Sequence, residues 1–113
     1  MPRALFFAET APRAVQTAAA ELGARLRLAR KRRGLTLREI ARKAGIAYDT
    51  ARAVERGNLL TGLGAYLALV WALGLEAELA GFLDPDRDEE GKQLERARMP
   101  ERVRGPAGGS DEF

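Results

Sequence analysis

Between Leu22 and Leu75 apolar side chains recur at three- and four-residue spacing, and glycines punctuate the pattern. Leu22, Leu26 and Ala29 share a face of a helix expected from Pro12 to Arg33. Arg25, Arg30, Lys31, Arg32 and Arg33 cover much of its other surface. Pro12 suits a first helical turn, where a missing N–H costs no intrahelical bond. Gly34 suits the residue just past the end. A second helix buries Ile40, Ala41 and Ala44 and ends at Gly45. After a turn through Ile46 and Ala47, a third runs from Tyr48 to Arg56 and stops at Gly57, with Ala51 and Val54 inward. Asn58 to Gly62 reads as a loop. Leu63, Tyr66, Leu67, Val70, Trp71 and Leu73 then form a wide apolar helix face closed by Gly74. Leu75, Leu79, Phe82 and Leu83 predict one more short helix or turn packing back on it. Few aromatics and many alanines and leucines favour an all-α core over a sheet.

One local signal is sharp. Thr36-Leu37-Arg38-Glu39 is a capping box: the Thr36 hydroxyl can accept from the Glu39 N–H, and the Glu39 carboxylate can accept from the Thr36 N–H.

The pattern divides the chain into a leader at 1–11, a helical domain at 12–83 and a charged C-terminal tail at 84–113. The leader's apolar run, Ala4 to Ala8, meets Glu9 too soon for a signal peptide. The 19 residues from Gly57 to Leu75 carry no charge and approach membrane-span length. Their glycines, Asn58 and Thr61 shorten the apolar part, so they read as a turn and a buried helix. From Asp84 onward there are 9 acidic and 6 basic residues, and the end is rich in glycine; such a tail is expected to be disordered alone or to order on a partner.

Charge changes the picture. The 113 residues carry a formal net charge of only +3, but Leu22 to Gly57 hold 11 Lys/Arg against 3 Asp/Glu. That concentration is a footprint for a polyanion; a solvated helix face fits Arg30 to Arg33 as well. With no cysteine and no histidine, disulfides, thiol nucleophiles, Ser-His triads and the usual zinc sites are excluded. Asp84, Asp86, Asp88 and Glu95 have the spacing of calcium-loop ligands, but Glu89 stands where the loop needs glycine and Pro85 intrudes. No catalytic constellation remains, so a non-enzymatic protein without cofactor or metal is expected. The lack of disulfides fits the cytoplasm.

Two short helices joined by a glycine-containing turn make a helix-turn-helix, whose second helix enters the DNA major groove. Gly45 supplies the left-handed conformation that reverses the chain. Ile46, Ala51 and Val54 anchor the second helix, which leaves Tyr48, Asp49, Arg52 and Ala53 outward.

In order along the chain stand Leu35-Thr36, Glu39-Ile40-Ala41, Gly45-Ile46, Glu55-Arg56-Gly57 and Ala72-Leu73-Gly74-Leu75. This ordered set, covering roughly Leu22 to Leu75, resembles the Xre/Cro-type helix-turn-helix family. The resemblance implies a lambda-repressor-like five-helix all-α domain that binds double-stranded DNA, usually as a two-fold homodimer on a palindromic operator. It also places Tyr48, Asp49, Thr50 and Arg52 where family members often meet DNA. Two residues depart from the family pattern. Leu37 replaces a phosphate-contacting glutamine, and Ala47 replaces the Ser or Thr that caps the recognition helix.

Arg52 suits bidentate pairing with guanine, and Asp49 suits cytosine N4. Tyr48 can reach a phosphate or a thymine methyl, and Thr50 a phosphate; Arg38, Arg42 and Lys43 suit the DNA backbone. Asp49 and Arg52 also have the spacing of an intrahelical ion pair. Glu55 is expected to pair with a basic residue inside the fold.

Trp71, Leu75, Leu79 and Phe82 fit either a dimer face or the core. In the tail, Gly91, Leu94, Arg98, Pro100 and Arg102-Val103-Arg104 resemble the ending of HipB-like antitoxins. That resemblance implies a repressor that also holds a HipA-like kinase toxin; an ordinary solvated tail and a stand-alone regulator are the alternatives, with a protein–protein adaptor as a third.

Overall fold

The computed structural model describes residues 3–100, with side chains from residue 7 onward. The tail's Arg102-Val103-Arg104 therefore lies outside the described residues. Six α-helices and no strand are found among the described residues: α1 (Arg3–Thr10), α2 (Arg13–Arg32), α3 (Leu37–Ala44), α4 (Tyr48–Glu55), α5 (Leu63–Ala72) and α6 (Glu89–Arg98). Two 3-10 segments, Glu76–Gly81 and Pro85–Arg87, lie between α5 and α6. The all-α expectation holds. The chain divides into two compact units, Met1–Ala80 and Gly81–Phe113.

In the first unit α3 packs on α4 and α5, and α4 packs on α2 and α5. Leu26 of α2, Ile40 and Ala41 of α3, Ala51 and Val54 of α4, and Leu69, Val70, Ala72 and Leu73 at the end of α5 form the buried cluster. Ile40, Val54 and Leu69 are its most enclosed large side chains. Ala44, Ile46, Tyr66 and Leu75 pack around it half-buried. Each fully buried Val, Leu or Ile contributes roughly 1.5–3 kcal/mol, so these few residues carry much of the stability of so small a unit.

Three burial assignments change. Leu22 is exposed, because the side of α2 that meets α4 is Gly23, Leu26 and Arg30. Arg30, expected on the surface, is only 9% exposed. The apolar face of α5 splits: Tyr66, Val70 and Leu73 turn toward the core, whereas Leu63, Leu67 and Trp71 stay exposed.

The segment after α5 does not pack back as expected. Leu75 joins the core, but no residue of Glu76–Gly81 is buried. Its acids Glu76 and Glu78 leave Leu79 as its one large apolar side chain, too little for a buried face.

The second unit contains a helix where a disordered tail was expected. Asp88 caps α6 by accepting the Gly91 N–H at 2.9 Å. Glu89 and Glu90 in the first turn and Arg96 and Arg98 in the last complement the helix dipole. Asp84 likewise accepts the Asp86 N–H at 3.0 Å. These acids act as local caps, and no cluster of three or more potential metal ligands occurs among the described residues. No helix among them is long and apolar enough to cross a membrane.

Candidate nucleic-acid interface

The start of α3 is fixed by the expected capping box. The Glu39 N–H donates to Thr36 Oγ1 at 3.0 Å, and the Thr36 N–H donates to Glu39 Oε1 at 2.8 Å. Hydrogen bonding to the Thr36 backbone N–H first, and to the Thr36 side chain second, holds the Glu39 carboxyl below its usual range. The end of α3 is set by Gly45, at φ 75°, which no branched side chain adopts comfortably. The Gly45 N–H bonds the Arg42 carbonyl at 3.1 Å and the Ile46 N–H bonds that of Ala41 at 3.0 Å, so the chain turns directly into α4.

Helix α4 begins without a side-chain cap. Ala47 is extended, at φ −66° and ψ 150°, and has no oxygen to offer the free N–H groups that follow. The helix is instead seated from below and at its far end. Ala51 and Val54 are fully buried. At the far end α2 comes into backbone contact: a Cβ on Gly23 would lie 2.6 Å from the Val54 and Glu55 carbonyl oxygens. A Cβ on Gly57, itself at φ 76°, would lie 2.7 Å from the Ala19 carbonyl oxygen.

Beside these contacts lies the expected internal partner of Glu55, and it is Arg30. Nε donates to Oε2 at 2.7 Å, Nη2 to Oε1 at 3.0 Å, and Nη1 to the Leu35 carbonyl at 2.9 Å. One guanidinium thus ties α2 to the end of α4 and to the segment leading into α3. The hydrogen bonds to Glu55 raise the Arg30 pKa, outweighing the desolvation that lowers it. The signal for this role was present in the sequence: Gly23, Leu26 and Arg30 stand at i, i+3 and i+7 and share one face of α2.

The opposite side of α4 faces solvent. Asp49 and Arg52 are exposed, and Tyr48 is 37% exposed; Thr50 and Ala53 are half-buried. Ala53 is therefore less outward than expected. No salt bridge joins Asp49 to Arg52 among the described residues, so the intrahelical pairing is not formed. On α3, Arg38, Arg42 and Lys43 are exposed and with Thr36 and Glu39 line a shallow cleft of about 310 Å³. Three cations against the single carboxylate of Glu39 make the cleft electropositive.

The two helices meet at a contact that the sequence reading missed. The Arg38 guanidinium carbon lies 4.7 Å from the centroid of the Tyr48 ring. A stacked guanidinium keeps its edge N–H groups available to an anion. Leu37 is half-buried against the core and offers no polar group.

Two short helices at a glycine corner, the second seated on its inner face and bare on its outer one, form a helix-turn-helix. The family model for the helix-turn-helix domain matches residues 21–83, more than half of the chain. The chain belongs to the helix-turn-helix domain family. Comparison with curated proteins and with solved structures returned no match. As a helix-turn-helix protein it is a DNA-binding regulator at the level the family establishes. Within that family's geometry α4 is the recognition helix and α3 the helix that crosses the phosphate backbone.

Proposed function

We propose that this helix-turn-helix protein is a non-enzymatic transcriptional repressor of the Xre/Cro type, acting in the cytoplasm as a homodimer on a palindromic operator. One observation carries the reading: Tyr48, Asp49 and Arg52 stand exposed on α4 beside Arg38, Arg42 and Lys43 of α3, none of which has a carboxylate partner among the described residues. In this arrangement Arg52 reads guanine and Asp49 accepts from cytosine N4. Tyr48 touches a phosphate or a thymine methyl, and Thr50 a phosphate near the start of α4. Arg38, Arg42 and Lys43 grip phosphates and set the register. The stack on Tyr48 holds Arg38 in place, which offsets part of what the uncapped start of α4 and the apolar Leu37 forgo. A dimer presents two recognition helices to half-sites about 34–36 Å apart.

The test compares two alanine variants on the DNA upstream of the protein's own gene. Arg52→Ala should weaken binding by ~1–3 kcal/mol and relax one base position, whereas Lys43→Ala should weaken all sequences alike. Equal loss on every sequence for Arg52→Ala would place Arg52 on the backbone alone.

A narrower reading makes the chain a HipB-like antitoxin that represses its own operon and holds a HipA-like kinase toxin. It is supported by the tail positions Gly91, Leu94, Arg98 and Pro100 and by the exposed charged helix α6 on which the first three lie. Co-expression with a kinase-like neighbour should then yield a stable complex that truncation before Gly81 abolishes; recovery of the chain alone would leave a stand-alone repressor.

A further inference from the structure

The cleft on α3 belongs to the DNA-facing surface; a second cleft has no part in it. It encloses about 300 Å³ between the end of α1, the first half of α2 and the segment that leaves α4. Ala8, Gln16 and Ala20, which form one side of it, precede the residues 21–83 that the family model matches. Part of the cleft therefore lies outside the shared domain. Its floor is closely packed: Gly57 approaches the backbone of Ala19 and Ala20 so nearly that no side chain fits between them. The turn from α1 into α2 is pinned by Gln16, whose Nε2 donates to the carbonyl of the buried Ala11 at 2.9 Å. Three polar side chains line this frame. The Arg56 guanidinium has no hydrogen-bond or carboxylate partner among the described residues. Asn58 Oδ1 accepts the Leu60 N–H at 2.7 Å, which leaves its Nδ2 as a donor. Gln16 keeps Oε1 as an acceptor. Leu59, Leu60 and the two alanines supply the apolar remainder.

We propose that this cleft binds a small organic carboxylate with an apolar body. The carboxylate meets the Arg56 guanidinium, with Asn58 Nδ2 as a second donor, and the hydrocarbon lies against Leu59, Leu60 and the alanines. Charge selects the head group. One unpaired cation and no acid line the cleft, so a cationic ligand is repelled and a neutral one leaves Arg56 without a partner. A guanidinium suits carboxylate and phosphate alike. The leucines decide between them, because a bare phosphate would hold desolvated oxygens against apolar carbon. Size limits the body: this volume is at the low end for ligand cavities and takes about ten non-hydrogen atoms. A few polar groups set in an apolar lining is the usual composition of such a site.

Hexanoate, titrated into the isotope-labelled full chain near neutral pH and followed by nitrogen–proton NMR correlation spectra, provides the test. It should shift the Gly57, Asn58 and Leu60 backbone amides and the Asn58 side-chain amide, with a Kd on the order of 1 mM for so small a molecule. Acetate keeps the charge without the chain, and inorganic phosphate keeps only an anion; each should bind about tenfold more weakly or less. Hexylammonium should not bind. Arg56→Gln should weaken hexanoate by about tenfold or more. Leu60→Ala should weaken hexanoate and leave acetate as it was. Arg32→Gln, at the far end of α2, should change nothing. The same spectra show that each variant is folded, and no DNA is present, so the DNA-binding reading stands or falls separately. Absence of localised shifts well above the expected Kd, or hexanoate binding that Arg56→Gln leaves intact, overturns the proposal. So does equal binding of hexanoate and phosphate, which would mark Arg56 as a surface cation without a pocket.

Discussion

Arg30 and Glu55, 25 residues apart, meet in a two-pronged ion pair whose side chains are only 10% and 8% exposed. The pair joins the scaffold helix α2 to the last residue of the recognition helix α4, so the angle at which α4 projects depends on it. A desolvated pair of this kind is costly to break from one side, because the remaining charge has no replacement partner.

Arg30→Ala or Glu55→Ala should each destabilise the fold by about 3–5 kcal/mol, whereas Arg30→Met with Glu55→Leu should cost far less than either or nothing. Chemical denaturation of the three variants gives the answer as a double-mutant cycle. Single losses below about 1 kcal/mol would mark the pair as an exposed one.

Ala47 is extended and exposed, in the conformation an N-cap residue adopts, but lacks the side-chain oxygen. Ala47→Ser should therefore stabilise the protein by ~1 kcal/mol, since the hydroxyl can accept an orphan N–H of the first turn of α4. Thermal unfolding would show a raised Tm. An unchanged or lowered Tm would mean that the start of α4 already satisfies those N–H groups by another route.

Glu39 ties the pH dependence of the fold to its capping box. Its folded pKa lies below the ordinary value because the ionised carboxylate accepts from Thr36. The resulting stabilisation is complete above the unfolded pKa and is lost as pH falls through the folded one. Stability of the natural chain should thus fall relative to Glu39→Gln on acidification from pH ~4.3 downward. Parallel stability curves for the two proteins would show that the carboxylate charge contributes nothing.

Much of this arrangement was legible in the sequence because it is local. Thr36, Gly45 and Gly57 act through backbone conformation and hydrogen bonds a few residues long, and each ends or begins a helix where the pattern placed it. Ile40, Ala51 and Val54 follow from helical spacing alone. Long-range contacts were harder to read. That Glu55 has an internal partner was legible, and Gly23, Leu26 and Arg30 share one face of α2 in the sequence, but that this face meets the end of α4 is a long-range crossing that spacing along α2 does not specify. Trp71 looked like either core or interface because periodicity identifies an apolar face without saying which of two faces a small core can cover. The tail's composition suggested disorder, while the Asp88 cap and the ordering of acids before bases along α6 favour a helix. The outward set Tyr48, Asp49 and Arg52 was legible once Ala51 and Val54 were placed inward; the Arg38 stack on Tyr48 joins two helices and was not.

The central claim is that the electropositive outer face of α3 and α4 grips duplex DNA. The measurement that bears on it most directly is titration of duplex DNA, including the region upstream of the protein's own gene, over a series of salt concentrations from low ionic strength upward. The account predicts association at low salt and an affinity that falls linearly with salt on logarithmic axes, with a slope reduced by about 1 for each of Arg38, Arg42 and Lys43 replaced by alanine. No association at low ionic strength, or a slope that those replacements leave unchanged, would contradict it.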